Sequence, residues 1–226
     1  MPFQSLGLSP ALARAAADMA FAEPTPIQRE AIPPILRGAD LLARAQTGSG
    51  KTAAFALPLL QAFAAQPAGA GLRAQALVLA PTRELAAQIG ETLRSLARHL
   101  DRAPRIAVVF GGVSINPQML RLRGGADIVV ATPGRLLDLV EHNALRLSHM
   151  GTLVLDEADR LLDLGFADEL ARVLALLPAR RQNLLFSATF PPAVEKLANA
   201  LLSDPVHITI EAPAVADLLV QQRAIA

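Results

Sequence analysis

The sequence contains no cysteine, which excludes disulfides and cysteine-ligated metal sites and suits a reducing compartment. It also lacks a charge imbalance: 21 lysines and arginines face 20 aspartates and glutamates, for a formal net charge of +1. Bulk charge therefore gives no sign of a polyanionic partner, and a nucleic-acid partner must be read from local motifs. No apolar stretch is long and uninterrupted enough to span a bilayer. The start, Met1-Pro2-Phe3-Gln4-Ser5, has no basic region followed by a long apolar run, so no secretory signal is expected. A soluble, cytoplasmic protein is the expectation. There are no internal repeats, and His99, His142, His149 and His207 show no metal-ligand spacing.

What is present is a chain of 226 residues, 52% of them hydrophobic, enough for one large domain or a domain with a tail. Short apolar runs at 40–43, 75–80, 106–110, 127–131, 152–155, 183–186 and 206–210 read as strands. They are almost continuously apolar, as in strands buried on both faces. Helical patterns lie between them. Ser9 can cap a helix that has Pro10 at its first position and Leu12, Ala16 and Met19 on one face. Ile27, Ala31 and Ile35 share another helix face, as do Leu85, Ile89, Leu93 and Leu96. Alternating strands and helices predict an α/β fold: a mainly parallel sheet with helices on both faces. Residues 67–71 read as a surface loop.

The segment Ala45-Gln46-Thr47-Gly48-Ser49-Gly50-Lys51-Thr52 follows an expected strand and precedes an expected helix over 52–63. That is the context of a phosphate-binding loop, although the general pattern has Gly where Ala45 stands. Thr47, Gly48, Ser49 and Gly50 would wrap the phosphates, the glycines letting backbone N–H groups approach. Lys51 would bring positive charge to the outer phosphates and Thr52 a hydroxyl to Mg2+, while the helix N-terminus favours anions. The bland alternative is a glycine-rich helix cap. Downstream, the apolar run 152–155 ends in Asp156 and Glu157. Ligands of open α/β sheets sit at the carboxyl ends of strands. Asp156 would hold Mg2+, and Glu157 would orient or deprotonate the attacking water. Two acids after a strand are, alone, more often a solvated helix start; the phosphate loop upstream reverses that reading.

Asp156-Glu157-Ala158-Asp159 resembles the signature of the DEAD-box RNA helicases. The rest of the chain, from Phe3 to about Ile210, is similar to their N-terminal RecA-like domain, a P-loop NTPase fold. The phosphate loop with Ala45 is the family's own form. Gly112-Val113-Ser114-Ile115-Asn116-Pro117-Gln118 resembles the bacterial RhlE-type branch. Phe21 to Gln28, within residues 1–37, looks like the family's Q motif. It implies ATP as ligand, with Gln28 reading the adenine through N6 and N7, Phe21 stacking on the base and Phe3 packing the motif in place. Without the family, Gln28 would be only a polar residue on a helix. The family usually has Gly where Ala20 stands, a departure expected to alter the local turn.

Three more segments look like the family's RNA-facing motifs: Pro81-Thr82-Arg83, Gly111-Gly112 and Thr132-Pro133-Gly134-Arg135. Thr82 and Thr132 follow strands and can cap helices, so two helix N-termini would face phosphates. Gly111 and Gly112 permit close backbone approach, and Arg83 and Arg135 add charge. Such contacts read the sugar-phosphate backbone, not base sequence. Ser187-Ala188-Thr189 resembles the motif that couples ATP turnover to strand separation, bonding to Asp159. By contrast, Arg94, Arg98 and Arg102 read as a solvated helix face, and Arg180-Arg181 as a loop.

The resemblance implies an ATP-dependent RNA helicase that couples hydrolysis to local duplex unwinding. The alternatives are a nucleotide-responsive RNA clamp and a DNA translocase. Residues 1–210 are expected to form the ATP-binding domain, and 211–226 a linker with the truncated start of a second RecA-like domain. That tail is expected to be mobile or borrowed by a neighbour. The second domain would supply arginines at the γ-phosphate and half of the RNA cleft, so this chain alone is expected to bind nucleotide without unwinding.

Overall fold

The computed structural model describes residues 2–66 and 75–211; the loop expected at 67–71 and the tail from 212 lie outside the described residues. Seven strands form one sheet: β1 (Leu41–Arg44), β2 (Ala76–Leu79), β3 (Ile106–Val109), β4 (Ile128–Ala131), β5 (Thr152–Leu155), β6 (Gln182–Ser187) and β7 (Val206–Thr209). Each lies within one residue of the run expected from the sequence. All pairings are parallel, in the order β3-β4-β2-β5-β6-β1-β7.

The strands are apolar throughout because alternate residues enter two different cores. Ala76 and Val78 of β2 face one core, while Leu77 and Leu79 face the other. Helices α1 (Pro10–Asp18), α2 (Pro26–Leu36), α3 (Lys51–Ala64) and α4 (Arg83–Leu96) cover the first face. The second face carries α5 (Asn116–Leu122), α6 (Pro133–Glu141), α7 (Ala158–Asp163), α8 (Ala167–Leu176) and α9 (Pro192–Leu201). Burying each large aliphatic chain, such as Leu77 or Leu153, contributes about 1.5–3 kcal/mol. At Gly90 in α4 a side chain would collide with Val108 of β3, so that glycine sets how closely helix and strand approach.

The helix starts follow local chemistry. Ser9 Oγ accepts from Leu12 N at 3.4 Å, with Pro10 in the first turn of α1. At the other end Phe21 N reaches Ala16 O and Ala20 N reaches Ala17 O, a Schellman closure. Its left-handed position is Ala20, at φ 60. That geometry explains why glycine suits this site and gives the departure at Ala20 a physical cost.

The amino ends of the strands are tied by a buried polar cluster. Asp40 accepts from Asn183 N at 2.7 Å and Ser203 N at 2.9 Å, and Asn183 Nδ2 donates to Leu201 O at 3.2 Å. Because every strand is parallel, all carboxyl ends share the opposite edge. There the turns after β1, β2, β3, β4, β5 and β6 converge. Among the described residues, no helix is long and apolar enough to cross a membrane.

Candidate nucleotide and nucleic-acid site

The turn between β1 and α3 holds Gly48 at φ 82 and Gly50 at φ 95, and Gly50 is the N-cap of α3. Lys51 is 6% exposed, and its Nζ donates to Ala45 O at 2.8 Å, so the cation sits on its own loop. Gln28 closes the loop from the other side. Its Nε2 donates to Gly50 O at 3.1 Å, and its Oε1 accepts from Thr25 N at 3.0 Å. A Cβ at Gly50 would lie 2.6 Å from Gln28 Nε2, so only glycine admits this contact. Each end of the Gln28 amide thus makes one bond, so Gln28 fixes the loop, and a second N–H and a second lone pair are left over. Phe21 is half-buried, 6.5 Å between ring centroids from the fully buried Phe3, which packs the motif in place.

Ser49 Oγ and Thr25 Oγ1 are buried without a hydrogen-bond partner. Each such group costs about 1–3 kcal/mol. Thr47 and Gly48 are exposed, and Thr52 is half-buried on the first turn of α3.

Asp156 follows β5 and is 2% exposed. Burial raises its carboxyl from 3.8 to about 6; the nearby Lys51 charge pulls it down, while Glu157 and Asp159 push it up. Its Oδ1 accepts from Glu157 N at 3.0 Å. Glu157 adopts a left-handed backbone, φ 52 and ψ 56, as N-cap of α7. For a non-glycine residue that stores about 1–3 kcal/mol of strain, a cost that concentrates at functional sites. Its carboxylate pairs with Arg160 at 3.4 Å.

Asp159 receives two bonds from Thr189, from N at 2.8 Å and from Oγ1 at 2.7 Å, while Asp159 N donates to Ser187 Oγ at 3.2 Å. Burial pushes the Asp159 carboxyl up, but these donors outweigh it and hold the group below the usual carboxylate range. The end of β6 and the start of α7 are therefore joined through one carboxylate.

The three segments expected to face RNA behave differently from one another. Thr82 caps α4, its hydroxyl accepting from Leu85 N at 3.2 Å beside buried Pro81, and Arg83 is exposed beside Glu84. Thr132 occupies the N-cap of α6 but makes no side-chain cap; its Oγ1 accepts from Gly111 N at 3.3 Å. Its hydroxyl thus ties the glycine turn to α6. Gly112 is exposed at φ 78, and Pro133 and Gly134 form the first turn of α6. Arg135 has a buried side chain, 8% exposed, that donates to Val113 O at 2.7 Å and meets Asp138 at 3.4 Å, while its Nη1 is buried with no hydrogen-bond partner among the described residues. It buttresses the loop behind Gly111 and Gly112.

The DEAD/DEAH box helicase family model matches residues 25–197, most of the chain and all of the loop, acid and threonine positions just described. The chain belongs to this family. A DEAD-box protein from Methanococcus jannaschii superposes with a TM-score of 0.85 at 37% identity, covering 93% of this chain and 56% of that one. A hypothetical ATP-dependent RNA helicase from Sulfolobus tokodaii gives 0.79 at 37% identity, covering 88% and 56%. The DEAD-box ATP-dependent RNA helicase CshA of Bacillus cereus is 43% identical over 97% of this chain and 41% of its own length. That of Streptococcus pneumoniae is 43% identical over 98% and 41%. The chain therefore spans about two fifths of the length of these curated relatives. The sheet and its neighbours make this a RecA-like α/β domain. CshA is a branch other than the RhlE-type one expected from residues 112–118.

Two features of this DEAD-box domain escaped the sequence reading. The Asp40–Asn183 cluster joins residues 143 positions apart, beyond any local pattern. Arg102, read as part of a solvated face, lies 4.2 Å over the Phe63 ring and donates to Phe63 O at 3.2 Å.

Proposed function

We propose that this chain is the ATP- and RNA-binding half of an ATP-dependent RNA helicase. The observation that carries the reading is the phosphate-loop turn at the carboxyl edge of the sheet, with Gly48 and Gly50 left-handed and Lys51 buried on Ala45 O, on the same edge as the buried Asp156 that follows β5. Lys51 leaves Ala45 O to meet the outer phosphates, and residues 47–50 wrap them. The donor set also fits Mg2+. Asp156 and the Thr52 hydroxyl are hard oxygen ligands, and a divalent ion would offset the burial that raises the Asp156 carboxyl to about 6. A bound ion supplies charge stabilisation to the transferring phosphoryl group. Glu157 orients the attacking water. Phe21 stacks on the adenine, and Gln28 reads it.

RNA lies across the N-termini of α4 and α6 and the Gly111-Gly112 turn, held by backbone N–H groups and Arg83. Asp159, Ser187 and Thr189 pass the state of the acids to the end of β6. Residues 1–210 form this domain; 211–226 lead towards a second RecA-like domain that supplies the arginines at the γ-phosphate. Without such arginines turnover falls by about 10³–10⁵, so the chain alone binds nucleotide and does not unwind. Residues 112–118 support the finer assignment to the RhlE-type branch, and the full-length protein works in the cytoplasm.

The test is an equilibrium titration of ADP and GDP in magnesium buffer, repeated with Gln28→Ala. A bidentate base contact gives about five- to 150-fold discrimination. Preference for ADP that shrinks in the variant supports the reading. Equal affinity would remove the role given to Gln28, and a folded chain that binds neither nucleotide would refute the assignment of the loop.

A further inference from the structure

Among the described residues the sheet ends in β3, which pairs only with β4. Backbone groups of successive strand residues point to opposite sides. Arg105 O and Val109 O accept from β4, so Ile106, Val108 and Phe110 direct their N–H and C=O outward. At Phe110 those outward groups are already taken. Gln118 of α5, 6% exposed, accepts from Phe110 N at 3.0 Å and donates to Phe110 O at 3.1 Å. Its carboxamide thus stands in for one peptide group of an absent neighbouring strand. Val108 and Ile106, one and two steps further back along the edge, have no such substitute among the described residues.

The edge opens into a groove made of two adjoining cavities, of about 770 and 320 Å3, that share Arg94, Val108, Gln118 and Arg121. Its floor is β3 and its walls are α4 and α5. Its charge is mostly of one sign: Arg94, Arg105 and Arg121 line it, with Glu91 as the acid. Arg105 is paired with Asp127 and Arg94 loosely with Glu91, at 3.8 Å, whereas Arg121 has no partner among the described residues. Val113, 48% exposed, adds an apolar side chain at the mouth.

We infer that the β3 edge is a docking site for an extended acidic peptide segment of a partner protein, which adds to the sheet as an eighth strand. The backbone of Ile106 and Val108 supplies the ladder, the arginines select acidic side chains, and Gln118 ends the ladder at Phe110. A polynucleotide would satisfy the arginines but has no use for alternating strand donors and acceptors, so the open edge favours a peptide.

The probe is a fluorescently labelled, end-blocked peptide of alternating glutamate and valine, titrated into the 226-residue chain by anisotropy. Two controls accompany it: the lysine-valine analogue, and the same acidic peptide N-methylated at alternate residues, which keeps charge and removes strand donors. The expected result is saturable binding of the acidic peptide alone. Arg121→Glu should weaken it by about tenfold or more, and amide exchange at Ile106 and Val108 should slow in the complex. Arg121 is outside the nucleotide site, so ADP affinity serves as the folding control. Equal binding of the N-methylated peptide, or no binding at millimolar concentration, overturns the inference. So does protection of the same two amides by a single-stranded RNA oligonucleotide that Arg121→Glu releases, which would give the groove to RNA.

Discussion

Replacing Asp156 by asparagine should stabilise the nucleotide-free domain while destroying its use of magnesium. The buried carboxyl protonates at about 6, against 3.8 ordinarily. Between those values the folded chain keeps a proton that the unfolded chain has lost. Stability therefore falls as pH rises from about 4 to 6, and the loss is complete above that range. A gap of about two pH units, at about 1.36 kcal/mol each, makes the charged Asp156 cost about 3 kcal/mol at pH 8. At pH 5 the same linkage gives about half that cost. Asparagine keeps the oxygen that accepts from Glu157 N and never charges. Urea unfolding of both proteins in chelator should show the variant more stable, with an advantage about 1–2 kcal/mol larger at pH 8 than at pH 5. Comparing the difference between proteins cancels the other titrating groups. A variant advantage that is flat with pH, or a variant less stable at pH 8, would refute the claim that burial dominates over the Lys51 attraction. The same variant should bind ADP without the tightening that magnesium gives the parent.

Three further substitutions test other parts of the structure. Ala20→Gly should add about 1 kcal/mol by relieving the left-handed alanine of the Schellman turn, measured by thermal or urea unfolding; an unchanged midpoint would contradict that geometry. Asp40→Ala should cost about 3 kcal/mol by leaving the buried Asn183 amide without its acceptor, and Asp40→Asn should cost less because one acceptor remains. Thr189→Val deletes the hydroxyl donor to Asp159 and keeps the backbone one. The Asp159 carboxyl should then titrate at higher pH in a carbon-detected NMR titration, and its contribution to stability should be lost earlier on acidification; an unmoved midpoint would show that Thr189 Oγ1 does not stabilise the charge.

The strands and the phosphate loop were legible because their signals are local. A run such as Leu77-Val78-Leu79 is apolar on both sides of the chain, and Gly48, Gly50 and Lys51 carry their chemistry in the order of the sequence. Ala20 was visible as an oddity, and the turn it closes gave the reason. Other contacts depend on partners farther along the chain. Nothing near Arg135 announces its bond to the Val113 carbonyl. Thr132 looked like a cap because its position is a cap; only the fold turns its hydroxyl towards Gly111. The bond from Gln28 to Gly50 was hidden because the two lie 22 residues apart.

The place of β1 in the sheet has a consequence for biosynthesis. The strand that launches the phosphate loop sits between β6 and β7, the last two strands in chain order among the described residues. Asp40 and Asn183 are 143 residues apart, so at about 5–20 residues per second β1 waits roughly 7–30 s on the ribosome for its neighbours. Throughout that interval β1 has neither of its sheet partners, and its apolar residues Leu41 and Ala43 have only part of their core. Synonymous codon changes that slow elongation between β1 and β6 should lower the soluble yield without altering the finished domain.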